Sequence, residues 1–284
     1  MFTTVISPQV LHEHLGEPKF VVIDTRHLLA DFSYGKREYD AGHIPGAFFA
    51  TFEEDLAGPK TGKNGRHPVP EPEAFAGFLR SLRVHDATQI VAYDDGADMF
   101  APRLWMLAQW IGHDAVAVLD GGIKAWKALG YPLTTEVPAR LGGGTLRVRM
   151  NHEILVDAAF VLANHTSPET HLLDARAADR FAGQNETIDP VAGHIPGSHN
   201  RWFKRNFDEA GNLKSPETLR HEFAEAGDPK KIVHTCGSGV SSAANLLAME
   251  IAGLHGSRLY GGSWSEWIAD PERPITTGSG AAAK

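Results

Sequence analysis

Stretches about 150 residues apart repeat one another, and no other feature of the sequence narrows its possible architectures as far. Val21-Val22-Ile23-Asp24-Thr25-Arg26 returns as His171-Leu172-Leu173-Asp174-Ala175-Arg176, an offset of 150 between Asp24 and Asp174. Gly42-His43-Ile44-Pro45-Gly46 returns as Gly193-His194-Ile195-Pro196-Gly197, an offset of 151 between Gly42 and Gly193. Ile90-Val91-Ala92-Tyr93-Asp94 aligns with Ile232-Val233-His234-Thr235-Cys236, and Gly121 through Trp126 with Gly262 through Trp267. Offsets that drift by only a few residues describe a duplicated domain with small loop changes. A chain of 284 residues has room for two such domains.

Both copies follow one order. A short apolar strand ends in Asp-x-Arg; a polar segment and the Gly-His-Ile-Pro-Gly turn follow, then a helix over 73–82 or 216–226. A second apolar strand, 89–93 or 231–235, enters a loop and a helix, 102–111 or 242–252. A third, 116–119 or 257–260, reaches a glycine pair and a tryptophan-bearing helix. Short apolar strands alternating with helices predict an α/β fold: two tandem domains, each a parallel sheet with helices on both faces. The expected boundaries are 1–131 for the first domain, 132–145 for a proline- and glycine-rich linker, 146–275 for the second domain and 276–284 for a loose tail.

In such sheets ligands sit beyond the carboxyl ends of the strands, and there the second copy places the only cysteine of the chain, Cys236. Gly237 and Gly239 permit a tight turn, and Ser241 or Ser242 opens an apolar-periodic helix running through Ala243, Leu246 and Leu247. Inward-turned backbone N–H groups and the positive end of a helix stabilise negative charge inside such a curl. A thiol held this way has a pKa of roughly 3.5–7.5 in place of about 8.5, which makes it a nucleophile at neutral pH. A lone thiol forms no internal disulfide and no cysteine metal cage. The bland alternative, a small buried filler, leaves the two glycines and the helix start unexplained.

At the matching position the first copy has Asp94, followed by Asp95-Gly96-Ala97-Asp98. A carboxylate is no sulfur nucleophile, so the chemistry is expected in the second domain, with the first domain structural. Asp24 with Arg26 and Asp174 with Arg176 read as internal ion pairs, and Trp126, Trp264 and Trp267 as packing. His43 and His194, being matched, read as scaffolding at a turn.

Composition excludes several roles. A net charge of −8 argues against nucleic acid or an anionic membrane as the main partner. No run is long enough to span a bilayer, and the N-terminus carries no signal-peptide pattern, so a cytoplasmic location is expected. The 15 histidines show no metal-ligand spacing, and no cofactor is expected.

Duplicated Asp-x-Arg, Gly-His-Ile-Pro-Gly and cysteine-loop units, with the nucleophile kept only in the second copy, resemble the two-domain rhodanese superfamily of sulfurtransferases. Cys236-Gly237-Ser238-Gly239-Val240-Ser241 is similar to the loop of its mercaptopyruvate-using branch. The resemblance implies a sulfurtransferase that moves sulfur from mercaptopyruvate to a thiol, a thioredoxin-type protein or cyanide through a persulfide on Cys236. It implies roles for Ser238 in handling a proton or fixing the donor, for Arg180 in gripping the donor's anionic group, and for Gly237, Gly239, Val240 and Ser241 in holding donor and persulfide. It also keeps His43 as a minor candidate for a proton relay. The sequence departs from the pattern at residues 184–192, where many mercaptopyruvate enzymes carry a second arginine and this chain has none; Arg201 lies just downstream. Thiosulfate is the alternative donor, and a persulfide relay between proteins the alternative role. A cysteine phosphatase would need arginine six positions after the cysteine, where this chain has Ser242.

Overall fold

The computed structural model describes residues 1–140 and 142–279. Of these, residues 1–58, 70–151 and 207–213 make up unit 1, and residues 59–69, 152–206 and those from 214 onward make up unit 2. Unit 1 contains strands β1 (Val5–Ile6), β2 (Phe20–Asp24), β3 (Phe48–Phe49), β4 (Gln89–Tyr93) and β5 (Val116–Leu119), in one sheet of order β1-β5-β4-β2-β3. Unit 2 repeats it with β6 (Leu155–Val156), β7 (His171–Asp174), β8 (His199–Asn200), β9 (Ile232–Thr235) and β10 (Arg258–Tyr260), in order β6-β10-β9-β7-β8. Every strand pairing is parallel. The fold is therefore the expected α/β architecture, twice.

Strand alternation explains why helices cover both faces of the sheet. In unit 2, Leu172, Val233 and Tyr260 face one way, where they pack with Val161, Trp264 and Trp267 of helices Ala158–Asn164 and Ser263–Trp267. Their neighbours Leu173 and Ile232 face the other way and pack with Leu219, Phe223, Ala248 and Met249 of helices Pro216–Phe223 and Ser241–Ile251. Unit 1 does the same: Val22, Val91 and Ala117 meet Leu11, Ile123 and Trp126, while helix Phe100–Trp110 packs on the opposite side against β4 and β5. Helix Pro72–Ser81 starts one residue before the expected 73–82 because Pro72 suits a first helical position. The stretch expected as one helix over 216–226 ends at Phe223 and finishes as a 3₁₀ turn, Ala224–Ala226.

Asp-x-Arg closes each unit in the same way. Arg176 is 3% exposed, donates from Nη2 to Asp174 at 2.7 Å and to the Gly193 carbonyl at 2.8 Å, and so ties the end of β7 to the Gly-His-Ile-Pro-Gly turn. Arg26 makes the matching bonds to Asp24 at 2.7 Å and the Gly42 carbonyl at 2.9 Å.

The division of the chain differs from the expected boundaries in several places, and residues 146–151 and 207–213, expected in the second domain, fold with unit 1. Residues of the expected linker lie on unit 1, where Thr134 bridges His43 and Gly142 and Gly144 donate to the carbonyls of Ser81 and Arg80; Leu146, expected as the start of the second domain, is buried in unit 1 as well. Leu141 of that stretch falls outside the described residues. The expected loose tail begins as ordered chain, since Thr276 bridges His194 and the Gly278 N–H reaches the Ala182 carbonyl; residues 280–284 fall outside the described ones. Residues 59–69, read as part of the first domain, fold with unit 2.

Candidate active site

β9 runs between β7 and β10 and delivers Cys236 to the carboxyl edge of the unit 2 sheet, where helix Ser241–Ile251 begins. The thiol is 1% exposed, yet it does not sit against hydrocarbon. The Gly239 N–H donates to Sγ at 3.1 Å, Ser242 Oγ lies at 3.4 Å and Ser263 Oγ at 3.9 Å. The loop turns its N–H groups inward because its carbonyls are bound outside: Trp264 N–H donates to the Cys236 carbonyl at 3.0 Å and Ser265 N–H to that of Gly237 at 2.8 Å. Gly239 has φ +75°, and an added Cβ would lie 2.1 Å from the Gly261 carbonyl oxygen, so only glycine fits. Burial pushes the thiol up, but the hydroxyls of Ser241 and Ser242 with the backbone N–H groups of Ser242 and Ser238 outweigh it and hold Cys236 below its ordinary value.

Ser238 Oγ lies 2.8 Å from His67 Nδ1, and both residues are buried. His67 reaches the loop because residues 59–69 belong to unit 2, where the Arg66 N–H is anchored on Ser265 Oγ at 3.0 Å and Gly65 packs against Gly262 and Ser265. Sequence reasoning passed over Arg66 and His67. Their signal was available: Lys60, Lys63, Arg66 and His67 form a basic, glycine-rich stretch in an acidic chain, and the second copy has Asp208, Glu209 and no arginine in the stretch 207–213 between its own matching elements.

Arg180 comes from the short helix Ala178–Phe181. Its Nε and Nη2 reach both oxygens of Glu186 at 2.9 to 3.2 Å, and Nη2 reaches Asp189 at 3.3 Å. Arg66 Nη1 contacts the other oxygen of Asp189, so that carboxylate holds two guanidiniums side by side. Burial, and then the charge of Arg180, pull the Arg66 guanidinium below its ordinary range. With Arg176 on Asp174 and Glu186, the cluster contains three guanidiniums and three carboxylates.

The remaining candidates separate. Gly237, Val240 and Ser241 are buried in the cysteine loop. Arg201 is not at the loop's donors: its guanidinium is taken by Asn206, Asn245 and Glu222 and stacks 3.5 Å from the Phe223 ring centroid, and burial lowers it to about 10. Both ring nitrogens of His43 meet backbone carbonyls, of Tyr39 at 2.8 Å and Glu136 at 3.0 Å. His194 repeats the first of these contacts on Phe181, which makes the pair turn scaffolding. His234, two residues before the nucleophile, is fully buried on Ser257 and held neutral, with its pKa lowered by burial to about 3. Among the described residues no three His, Cys, Asp or Glu side chains are grouped to hold a metal ion, and no helix is long and apolar enough to cross a membrane.

In unit 1 the matching loop is filled by its own side chain. Asp94 accepts from Gly96 N–H at 2.9 Å and Ala101 N–H at 3.0 Å, so the carboxylate occupies donors that in unit 2 face sulfur.

A doubled parallel sheet with a cysteine loop on the carboxyl edge of one copy defines a class of α/β protein. Within that class the chain belongs to the rhodanese family: the rhodanese-like domain matches residues 7–129 and again 157–270. A probable 3-mercaptopyruvate sulfurtransferase of Pseudomonas aeruginosa is 45% identical over 279 residues, covering 96% of this chain and 98% of that protein. The thiosulfate sulfurtransferase of Bos taurus is 34% identical, covering 94% of this chain and 91% of its own. Among solved structures, the 3-mercaptopyruvate sulfurtransferase SseA of Escherichia coli superposes with a TM-score of 0.80 at 31% identity, over 93% of this chain and 100% of that one.

Proposed function

We propose that the chain transfers a sulfur atom from 3-mercaptopyruvate to a thiol, a thioredoxin-type protein or cyanide, with Cys236 carrying the sulfur as a persulfide. The observation that carries this reading is the lowered thiol in a ring of donors beside a paired Ser238 and His67. The Cys236 thiolate attacks the donor sulfur, a sulfur–sulfur bond forms, and the carbon–sulfur bond breaks with its electron pair left on carbon. The thiol proton of the donor moves to that carbon, which becomes the methyl group of pyruvate, and the terminal sulfur stays on the enzyme as an anion. Ser238 and His67 are the groups that pass this proton. Gly239 N–H and the Ser242 hydroxyl hold the charged sulfur. An acceptor nucleophile then takes the outer sulfur and restores the thiolate.

The charge balance of the arginine cluster favours mercaptopyruvate. Three guanidiniums already face three carboxylates, so a monoanion is accommodated more readily than the dianion thiosulfate. Thiosulfate is the second reading, supported by the identity to the Bos taurus enzyme. The ratio of kcat/KM for the two donors, with cyanide and then a small thiol as acceptor, decides between them: a ratio above one supports the first reading and a ratio below one the second.

A further inference from the structure

His67 Nδ1 and Ser238 Oγ, 2.8 Å apart, come from segments that meet on one short stretch, Gly261 to Ser265, where β10 passes into helix Ser263–Trp267. With its backbone that stretch holds the cysteine loop: the N–H groups of Trp264 and Ser265 donate to the carbonyls of Cys236 and Gly237 at 3.0 and 2.8 Å. With the Ser265 side chain it holds residues 59–69. The Arg66 N–H donates to Ser265 Oγ at 3.0 Å, and the Ser265 hydroxyl donates in turn to the Gly262 carbonyl at 3.3 Å, which leaves its lone pairs to Arg66. Gly65 comes so close that an added Cβ would lie 2.9 Å from Ser265 Oγ, and beyond His67 a Cβ added to Gly261 would lie 2.7 Å from Val69 Cγ2. The histidine is thus pinned on both flanks. Asn64 accepts from the Thr61 N–H and donates to the Pro59 carbonyl, both at 2.9 Å, so the segment arrives at Ser265 already folded on itself. In the first copy Lys124 stands at the position of Ser265, and it is exposed.

We infer that Ser265 is a positioning residue for the proton transfer: its hydroxyl seats residues 59–69 on the support that also carries the cysteine loop, and so sets His67 against Ser238. The inference rests on the mercaptopyruvate reading and extends it to a side chain that makes no bond to sulfur. Ser265 holds the loop through its N–H and the histidine segment through its hydroxyl. Truncating the side chain therefore loosens the histidine and leaves the donors around Cys236 in place. What suffers is the step in which a proton moves, so Ser265 governs kcat and not KM.

The test is a double-mutant cycle on mercaptopyruvate turnover with Ser265→Ala, His67→Gln and the two combined. Ser265→Ala should lower kcat about 3- to 10-fold, the range for one neutral hydrogen bond, with KM and the pH profile of Cys236 alkylation unchanged. In the His67→Gln background the same substitution should cost nothing further, because the group it positions is already gone. Ser265→Thr, which keeps the hydroxyl, should recover most of the lost kcat. Gly65→Ala reaches the same contact from the other segment: its methyl meets Ser265 Oγ and needs a positive φ, so it should reproduce the loss with Ser265 intact, and it carries the test should Ser265→Ala not fold. A loss that multiplies with that of His67→Gln, or a shifted alkylation profile, would show Ser265 to be a general support of the loop and overturn the inference; so would wild-type kcat in both Ser265→Ala and Gly65→Ala. A wild type that uses thiosulfate but not mercaptopyruvate would instead overturn the functional reading, and the inference with it.

Discussion

At the scale of single residues, the chemistry turns on how Cys236 is held. Its thiolate exists above its pKa, and donors that lower the pKa extend the reactive range toward acid. Alkylation by iodoacetamide should therefore persist below the ordinary thiol midpoint of about 8.5, and Ser242→Ala, which removes a lowering hydroxyl, should move the midpoint of the pH–rate profile upward. Ser238 and His67 have a different signature. Mercaptopyruvate must move a proton from sulfur to carbon, whereas sulfite leaves thiosulfate without one. Ser238→Ala and His67→Gln should each lower kcat for mercaptopyruvate by about 10²-fold or more and leave thiosulfate turnover near its wild-type value; steady-state kinetics on the two donors reads the difference. Cys236 and Ser238 were legible because strand, glycines and helix start are contiguous in sequence. His67 was not, since it comes from a segment 171 residues away: the basic, glycine-rich composition of that segment marks it as unusual, but its place beside the loop is a property of the fold. In the sequence, residues 184–192 stand out only for lacking an arginine, yet Glu186 and Asp189 in that stretch are the groups that hold Arg180 and Arg66.

At the scale of elements, the repeated Asp-x-Arg works as a brace between a strand end and the turn that follows. Asp174→Ala would leave the buried Arg176 guanidinium without its main partner, a loss of about 3–5 kcal/mol, which urea unfolding should show as a lower midpoint. The loop tolerates no comparable change at Gly239. An alanine there meets a backbone oxygen and needs a positive φ, so the N–H that faces sulfur is displaced; Gly239→Ala should cost about 10²- to 10³-fold in kcat, the effect of losing one such donor. The strands and helices themselves were legible to within a residue or two because alternation and amphipathic spacing are written locally, as Leu172 and Leu173 on opposite faces of β7 illustrate. The ends of the repeats were less so. Thr134 and Thr276 look like linker and tail by composition, and only their pairing with His43 and His194 shows that each closes its own unit.

At the scale of the whole molecule, one duplicated sheet has taken two directions. The helix starting at Phe100 in unit 1 matches the one starting at Ser241 in unit 2, and where the second offers Ser241 and Ser242 the first has Phe100 and Ala101. A cysteine placed at Asp94 would therefore lack hydroxyl donors and stand among Asp95 and Asp98. Asp94→Cys combined with Cys236→Ser should take up no sulfur from either donor. Duplication and asymmetry were both readable from motif offsets, while the assignment of residues 59–69 to unit 2 was not, because membership depends on where the folded segment comes to rest. The most direct measurement is the intact mass of the protein after exposure to mercaptopyruvate alone. It should show the gain of one sulfur atom, removed by a small thiol and absent in Cys236→Ser. No gain, or a gain that survives in Cys236→Ser, would contradict persulfide transfer at this cysteine.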